Sequence, residues 1–215
     1  MTDPVKHVYT RQRMLAWLEN MERASGGGSL TVSLKAGESA EEIKKHLKHV
    51  PARGEAIGHC EYHAGKAKKG SFLIWGQEHG YLIEPPFPVT DSCVTPELDV
   101  NTLRDMLGRD YVLGFVLVRL GAFAVGVAGG EKLLTSKVGT GNVHGRHRQG
   151  GSSAHRFERH RDKQIEYFVT RLCEYAREHL GPYEKKLDYL VYGGSWTAIE
   201  TVQKQCPFIA GLKKP

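Results

Sequence analysis

Three runs rich in valine and leucine follow one another almost without a break: YVLGFVLVRL (111–120), FAVGVAGG (123–130) and EKLLTSKV (131–138). Runs of this composition predict strands. The first is apolar along nearly its whole length, which predicts a strand buried on both faces. Further on, Phe157, Ile165, Phe168, Leu172, Ala176 and Leu180 recur at helical spacing over about seven turns. Gly181-Pro182 ends that helix. LDYLVYGG (187–194) reads as a further buried strand, and SWTAIETVQKQ (195–205) as a short helix behind it. Consecutive strands, a long helix and a returning strand constrain this part to a mixed sheet with helices packed on it, an α/β fold.

The N-terminal part is less uniform. Val8, Met14, Leu15, Leu18 and Met21 predict a helix over 4–24, closed by Ser25-Gly26-Gly27-Gly28. SLTVSLK (29–35) alternates as a strand half-buried on one face. Ser39 with Glu42 forms a capping box before the helix AEEIKKHLKHV (40–50), which Pro51 closes. Residues 1–52 are therefore expected to form a small N-terminal α/β element, and 53–215 the main domain. GHCEYHA (58–64) and SFLIWG (71–76) predict a strand pair joined by the basic turn GKAKKG. YLIEPPFPV (81–89) follows as a strand, and Asp99 or Asn101 caps a helix over VNTLRDML (100–107).

Charge is concentrated in one place. Residues 139–163, GTGNVHGRHRQGGSSAHRFERHRDK, hold Arg146, Arg148, Arg156, Arg159, Arg161 and Lys163 against only Glu158 and Asp162, and this supplies most of the chain's formal +6. Four histidines are interleaved, and Gly150-Gly151 sit in the middle, where the backbone can take positive φ and approach another molecule closely. A basic loop at 139–155 feeding a basic helix suits a polyanion better than a core. There is no apolar run near the length of a membrane span, so no membrane partner is expected. The N-terminal MTDPVKHVYTRQRM lacks the apolar core of a signal peptide. Cys60, Cys93, Cys173 and Cys206 are far apart without a CxxC pair, which predicts reduced thiols and a cytoplasmic setting.

Several chemistries are poorly served. The strands are nearly free of acids, with Glu84 and Asp188 isolated at ends, so a two-metal nuclease site is not expected. GTGNVHG lacks the Lys-Ser/Thr of a phosphate loop and the third glycine of a dinucleotide fingerprint. His59-Cys60-x-x-His63 lacks further ligands at metal-site spacing and reads as ordinary strand residues, with the histidines on one face and Cys60 on the other. Cys173 reads as a buried thiol. No metal or cofactor is expected. A glycine turn with flanking cations fits ester hydrolysis, in which backbone N–H groups stabilise the developing oxyanion and arginines hold RNA phosphates.

HGRHRQGGSSAHRFERHRDKQIEYF (144–168) resembles the loop and following helix of eukaryotic and archaeal class 1 peptide-release factors, which carry a basic run, Gly-Gly-Gln-Ser-Ala and an Arg-Phe pair. Gly150, Gly151, Ser153, Ala154, Arg156, Phe157, Arg159 and Arg161 match. Residues 111–137 and 187–196 are similar to the family's flanking strands, and 29–47 to its N-terminal domain. The compact architecture resembles the release-factor-like peptidyl-tRNA hydrolases of ribosome quality control, the bacterial Vms-like type. The resemblance implies a ribonuclease-H-like sheet with packed helices. It also implies hydrolysis of peptidyl-tRNA on stalled large ribosomal subunits by a cytoplasmic monomer. Gln149, Gly150, Gly151, Ser152 and Ser153 are then the catalytic segment. Arg146, His147, Arg148, Arg156, Arg159, Arg161 and Lys163 would hold ribosomal RNA and the tRNA acceptor end. One departure is plain: Ser152 stands where the family has glutamine, and Gln149, just before the glycines, is the nearby substitute. A factor on the same fold that binds ribosome or RNA without cleaving is the alternative.

Overall fold

The computed structural model describes residues 5–24, 27–51, 54–76, 79–143 and 154–212, with side chains in the last span from Arg156 on. The chain divides into two compact units, Met1–Arg109 and Asp110–Pro215.

In the first unit, α1 (Arg11–Ala24), β1 (Leu30–Leu34), α2 (Ala40–Leu47), α3 (Glu55–Lys66), β2 (Ser71–Trp75), β3 (Gly80–Ile83), β4 (Cys93–Thr95) and α4 (Asn101–Gly108) follow in order. The strands form an antiparallel sheet in the order β3-β2-β1-β4. Alternation along β2 sends Phe72 and Ile74 to a core shared with Leu18 of α1 and Leu103 of α4. Leu73 goes to a second core, with Ile43 and Leu47 of α2 and Ala64 of α3. β1 lies between β2 and β4 and buries Thr31, Val32 and Leu34, so it is not confined to one buried face.

Helix α2 has its expected capping box. Ser39 Oγ accepts from the Glu42 N–H, and the Glu42 carboxylate accepts from the Ser39 N–H at 2.9 Å. The helix ends at Leu47, before Pro51 is reached. α1 starts at Arg11 rather than near residue 4, because the Thr10 hydroxyl accepts from the Arg13 N–H at 3.3 Å and caps it. At α4 the N-cap is Val100, and Asp99 Oδ1 accepts from the Asn101 N–H at 3.0 Å.

Two expectations fail here. GHCEYHA belongs to helix α3 and not to a strand, since Ile57, Cys60 and Ala64 form an i, i+3, i+7 line packed on the second core. β2 pairs instead with β1 and β3. His59 and His63 are one helical turn apart and exposed, and Cys60 is half-buried, its thiol pushed up chiefly by that burial. A boundary at residue 52 fails as well. It would separate β1 from its partner β2, whereas the division falls at residue 109.

The second unit holds β5 (Val112–Arg119), β6 (Ala122–Gly129), β7 (Lys132–Thr140), α5 (Ala154–Leu180), a 3-10 turn at Gly181–Tyr183, β8 (Tyr189–Gly194), α6 (Trp196–Gln205) and α7 (Pro207–Gly211). The sheet runs β7-β6-β5-β8, antiparallel except that β8 lies parallel to β5. A parallel partner demands a long crossover, and α5 provides it. This is the expected mixed sheet with packed helices. Asp188 ties the crossover down: its carboxylate accepts from the Val112 N–H at 2.9 Å, and its own N–H donates to Val112 O at 2.8 Å.

One face of this sheet carries the core. Val116, Val118, Phe123, Val125 and Val127 meet Phe168, Leu172, Ala176 and Leu180 of α5, with Ile199 and Val202 of α6. β5 is not buried on both faces; Leu117, 43% exposed, points the other way, as does Val191 of β8 at 45%. The apolar run reflected strand propensity on both faces but burial on one. Cys173 and Cys206 form a disulfide, with Cα atoms 5.5 Å apart, contrary to the expectation of reduced thiols. α5 and the α6–α7 junction bring them together although 33 positions separate them in sequence.

Candidate functional site

In sequence the Gly-Gly segment lies between the end of β7 and the start of α5. Arg146, His147, Arg148, Gln149, Gly150, Gly151, Ser152 and Ser153 lie outside the described residues, and two elements anchor the ends of the segment.

The first anchor is the chain leaving β7. The Gly141 N–H donates to Gly121 O at 3.0 Å, and Arg171 Nη1 donates to Thr140 O at 3.0 Å. A Cβ on Gly141 would stand 2.8 Å from Phe168 Cδ2, so glycine lets this backbone lie flat against α5. Phe168 stacks edge-on against Phe123, with centroids 5.5 Å apart. Val143 packs partly on the same core. The strand exit is thus fixed to the middle of the helix.

The second anchor is α5 itself. Phe168, Leu172, Ala176 and Leu180 are buried, and Ile165 packs partly against the core. Phe157, expected on that line, is instead 51% exposed, since it lies beyond the core-forming turns. Arg156, Arg159 and Lys163 are exposed, and Arg161 is partly buried. The first turn of α5 carries no acidic residue, although the positive end of a helix favours acids and disfavours arginine. Helix stability therefore does not account for Arg156 in that turn.

Two open grooves flank this basic stretch. One, of about 640 Å³, is lined by Arg159, Lys163 and Gln205 but also by Asp162 and Glu166. The other, of about 600 Å³, runs between the strand exit and α5, lined by Thr140, Gly141, Asn142, His160, Lys163, Gln164, Tyr167 and Arg171. None of those lining residues is acidic. Among the described residues no cluster of His, Cys, Asp or Glu is placed to hold a metal ion. Sequence reasoning passed over Tyr167, Arg171 and Asn142. Tyr167 sits beside the core residue Phe168 and reads with it, yet the spacing Lys163, Tyr167, Arg171 sets all three on one exposed stripe.

Residues 111–213 match the family model described as the Actinobacteria/chloroflexi VLRF1 release factor. Over these residues the C-terminal unit is similar to that release-factor family. Peptide chain release factor subunit 1 of Archaeoglobus fulgidus is 34% identical over 119 residues, 53% of this chain and 28% of that protein. Its counterpart in Methanococcus vannielii is 34% identical over 118 residues, with the same coverage. That of Aeropyrum pernix is 23% identical over 160 residues, 74% of this chain and 43% of that protein. The match thus spans little more than a quarter of the length of the first of these relatives. A crystal structure of the archaeal translation termination factor aRF1 aligns with 91% of this chain and 60% of its own at 16% identity, with a TM-score of 0.34, a likeness too loose to carry an argument. The release-factor-like unit contains both anchors of the Gly-Gly segment and both grooves.

Proposed function

We propose that this chain hydrolyses the ester of peptidyl-tRNA on stalled large ribosomal subunits, freeing the nascent peptide in ribosome rescue. The observation that carries the reading is a basic Gly-Gly segment feeding, within a release-factor-like unit, a helix that presents Arg156, Arg159 and Lys163 to solvent.

The reaction asks little of titrating side chains. A water oxygen attacks the ester carbonyl carbon and the bond to the ribose oxygen breaks. One water proton passes to that oxygen and the other is released to solvent, leaving a peptide carboxylate and a free tRNA hydroxyl. In this reading Gly150 and Gly151 form the turn, and the Ser152 amide donates to the developing oxyanion. Ser153 follows in the same segment, and Gln149 orients the water. Arg146, His147, Arg148, Arg156, Arg159, Arg161 and Lys163 hold phosphates of ribosomal RNA and of the tRNA acceptor end. The partner sets the compartment, so the protein works in the cytoplasm, as a monomer. No helix among the described residues is long and apolar enough to cross a membrane.

Ser152 in place of glutamine favours one alternative, a factor that occupies the same ribosomal site without cleaving. Gln149→Ala and Gly151→Ala separate the two. Hydrolysis requires both variants to lose peptide release while still co-sedimenting with large subunits in a salt-sensitive way. If the native chain binds and releases nothing, the non-cleaving reading takes its place.

A further inference from the structure

We infer that the groove between the β7 exit and α5 is a subsite for single-stranded RNA, with one base stacked on Tyr167 and the neighbouring phosphates held by Lys163 and Arg171. The inference rests on the RNA-binding part of the function proposed above and adds to it a specific recognition element.

Tyr167 is 65% exposed in the middle of a long helix, next to the fully packed Phe168. A ring left in water there contributes little to the fold, but it offers a flat face to a ligand. Lys163 and Arg171 lie one turn to either side on the same stripe, each about 6 Å from Tyr167 along the helix axis. Arg171 is held in place by its bond to Thr140 O, which uses one of the guanidinium's five donors. A cation, an aromatic ring and a second cation in line make the arrangement used to bind unpaired nucleic acid: charge tracks the backbone, and bases stack on aromatic faces.

The surroundings agree. The groove is open along its length and has a volume of about 600 Å³. No carboxylate lines it, whereas Asp162 and Glu166 face the groove on the other side of the helix, so an anion is steered to the Tyr167 side. Asn142 and Gln164 add side-chain amides of the kind that read base edges. The groove also borders Asn142, from which the chain runs on through Val143 into the Gly-Gly segment.

The test measures binding of the full chain to a fluorescein-labelled single-stranded RNA hexamer by anisotropy across a salt series. Tyr167→Ala is expected to weaken binding roughly five- to a hundredfold with the salt slope unchanged. Tyr167→Phe keeps the ring and is expected to bind like the native chain. Lys163→Ala is expected to lower the salt slope, since a phosphate contact is lost. A duplex of the same sequence, with no free base to stack, is expected to respond much less to Tyr167→Ala. If Tyr167→Ala binds the hexamer like the native chain while Arg159→Ala weakens it, the subsite is wrong and the RNA reading survives. If the native chain shows no salt-dependent RNA binding, the RNA reading itself falls. Displacement of the hexamer by poly-glutamate as readily as by unlabelled RNA would assign the groove to an acidic protein and overturn the inference.

Discussion

Gly141 sits where the Gly-Gly segment leaves the sheet, and what it lacks matters more than what it has. A methyl group there would stand 2.8 Å from the Phe168 ring, which cannot retreat because it is buried and stacked against Phe123. Gly141→Ala is therefore expected to cost about 1–3 kcal/mol in urea unfolding. It should also weaken RNA binding, because the strand exit and α5 would be forced apart. An unchanged midpoint would show that the chain leaves β7 along another path. Asp188 makes a comparable point about acids: its carboxylate is used to register β8 on β5, so it is a structural group at a strand end.

Among the elements, α2 shows how local chemistry sets a boundary. The Glu42 carboxylate is held below the ordinary carboxylate range, chiefly by accepting from the Ser39 backbone N–H and then from the Ser39 hydroxyl. A depressed folded-state value means its contribution is present above the unfolded carboxylate value and fades as pH falls through the depressed one. Ser39→Ala is expected to cost about 1 kcal/mol at neutral pH, and its difference from the native chain should shrink in acid; a pH-independent difference would contradict this. This box, the three successive strands and the core line of α5 were all legible in sequence, because each is a local pattern. α3 was not. Its apolar line is thin, only Ile57, Cys60 and Ala64, and histidine and tyrosine between them imitate strand alternation. Nor could β5 disclose that one face stays open, since propensity does not report which face finds a partner. The Cys173–Cys206 link depends on tertiary packing of α5 against the α6–α7 junction, for which spacing gives no signal. Reducing that bond is expected to lower stability by about 2–4 kcal/mol, read as a shift in urea midpoint with reductant; no shift would show the bond to be irrelevant to the fold. In the candidate site, the basic stretch was visible as composition, whereas the Tyr167 stripe emerged only once α5 was seen to turn that side to solvent.

For the molecule as a whole, the formal charge of +6 is carried unevenly, with most of it in the 139–163 stretch that runs into the exposed side of α5. Charge placed this way makes association with a polyanion salt-dependent, while the proposed chemistry rests on the short Gly-Gly segment. The proposed function joins the two, with the basic helix binding large ribosomal subunits and the Gly-Gly segment cleaving the ester they hold. The most direct measurement is single-turnover release of labelled peptide from peptidyl-tRNA on purified large subunits, with Gly151→Ala alongside. The native chain is expected to free the peptide, and Gly151→Ala to bind without freeing it. Salt-sensitive binding by the native chain with no peptide freed would contradict hydrolysis, and neither binding nor release would contradict the ribosomal reading entirely.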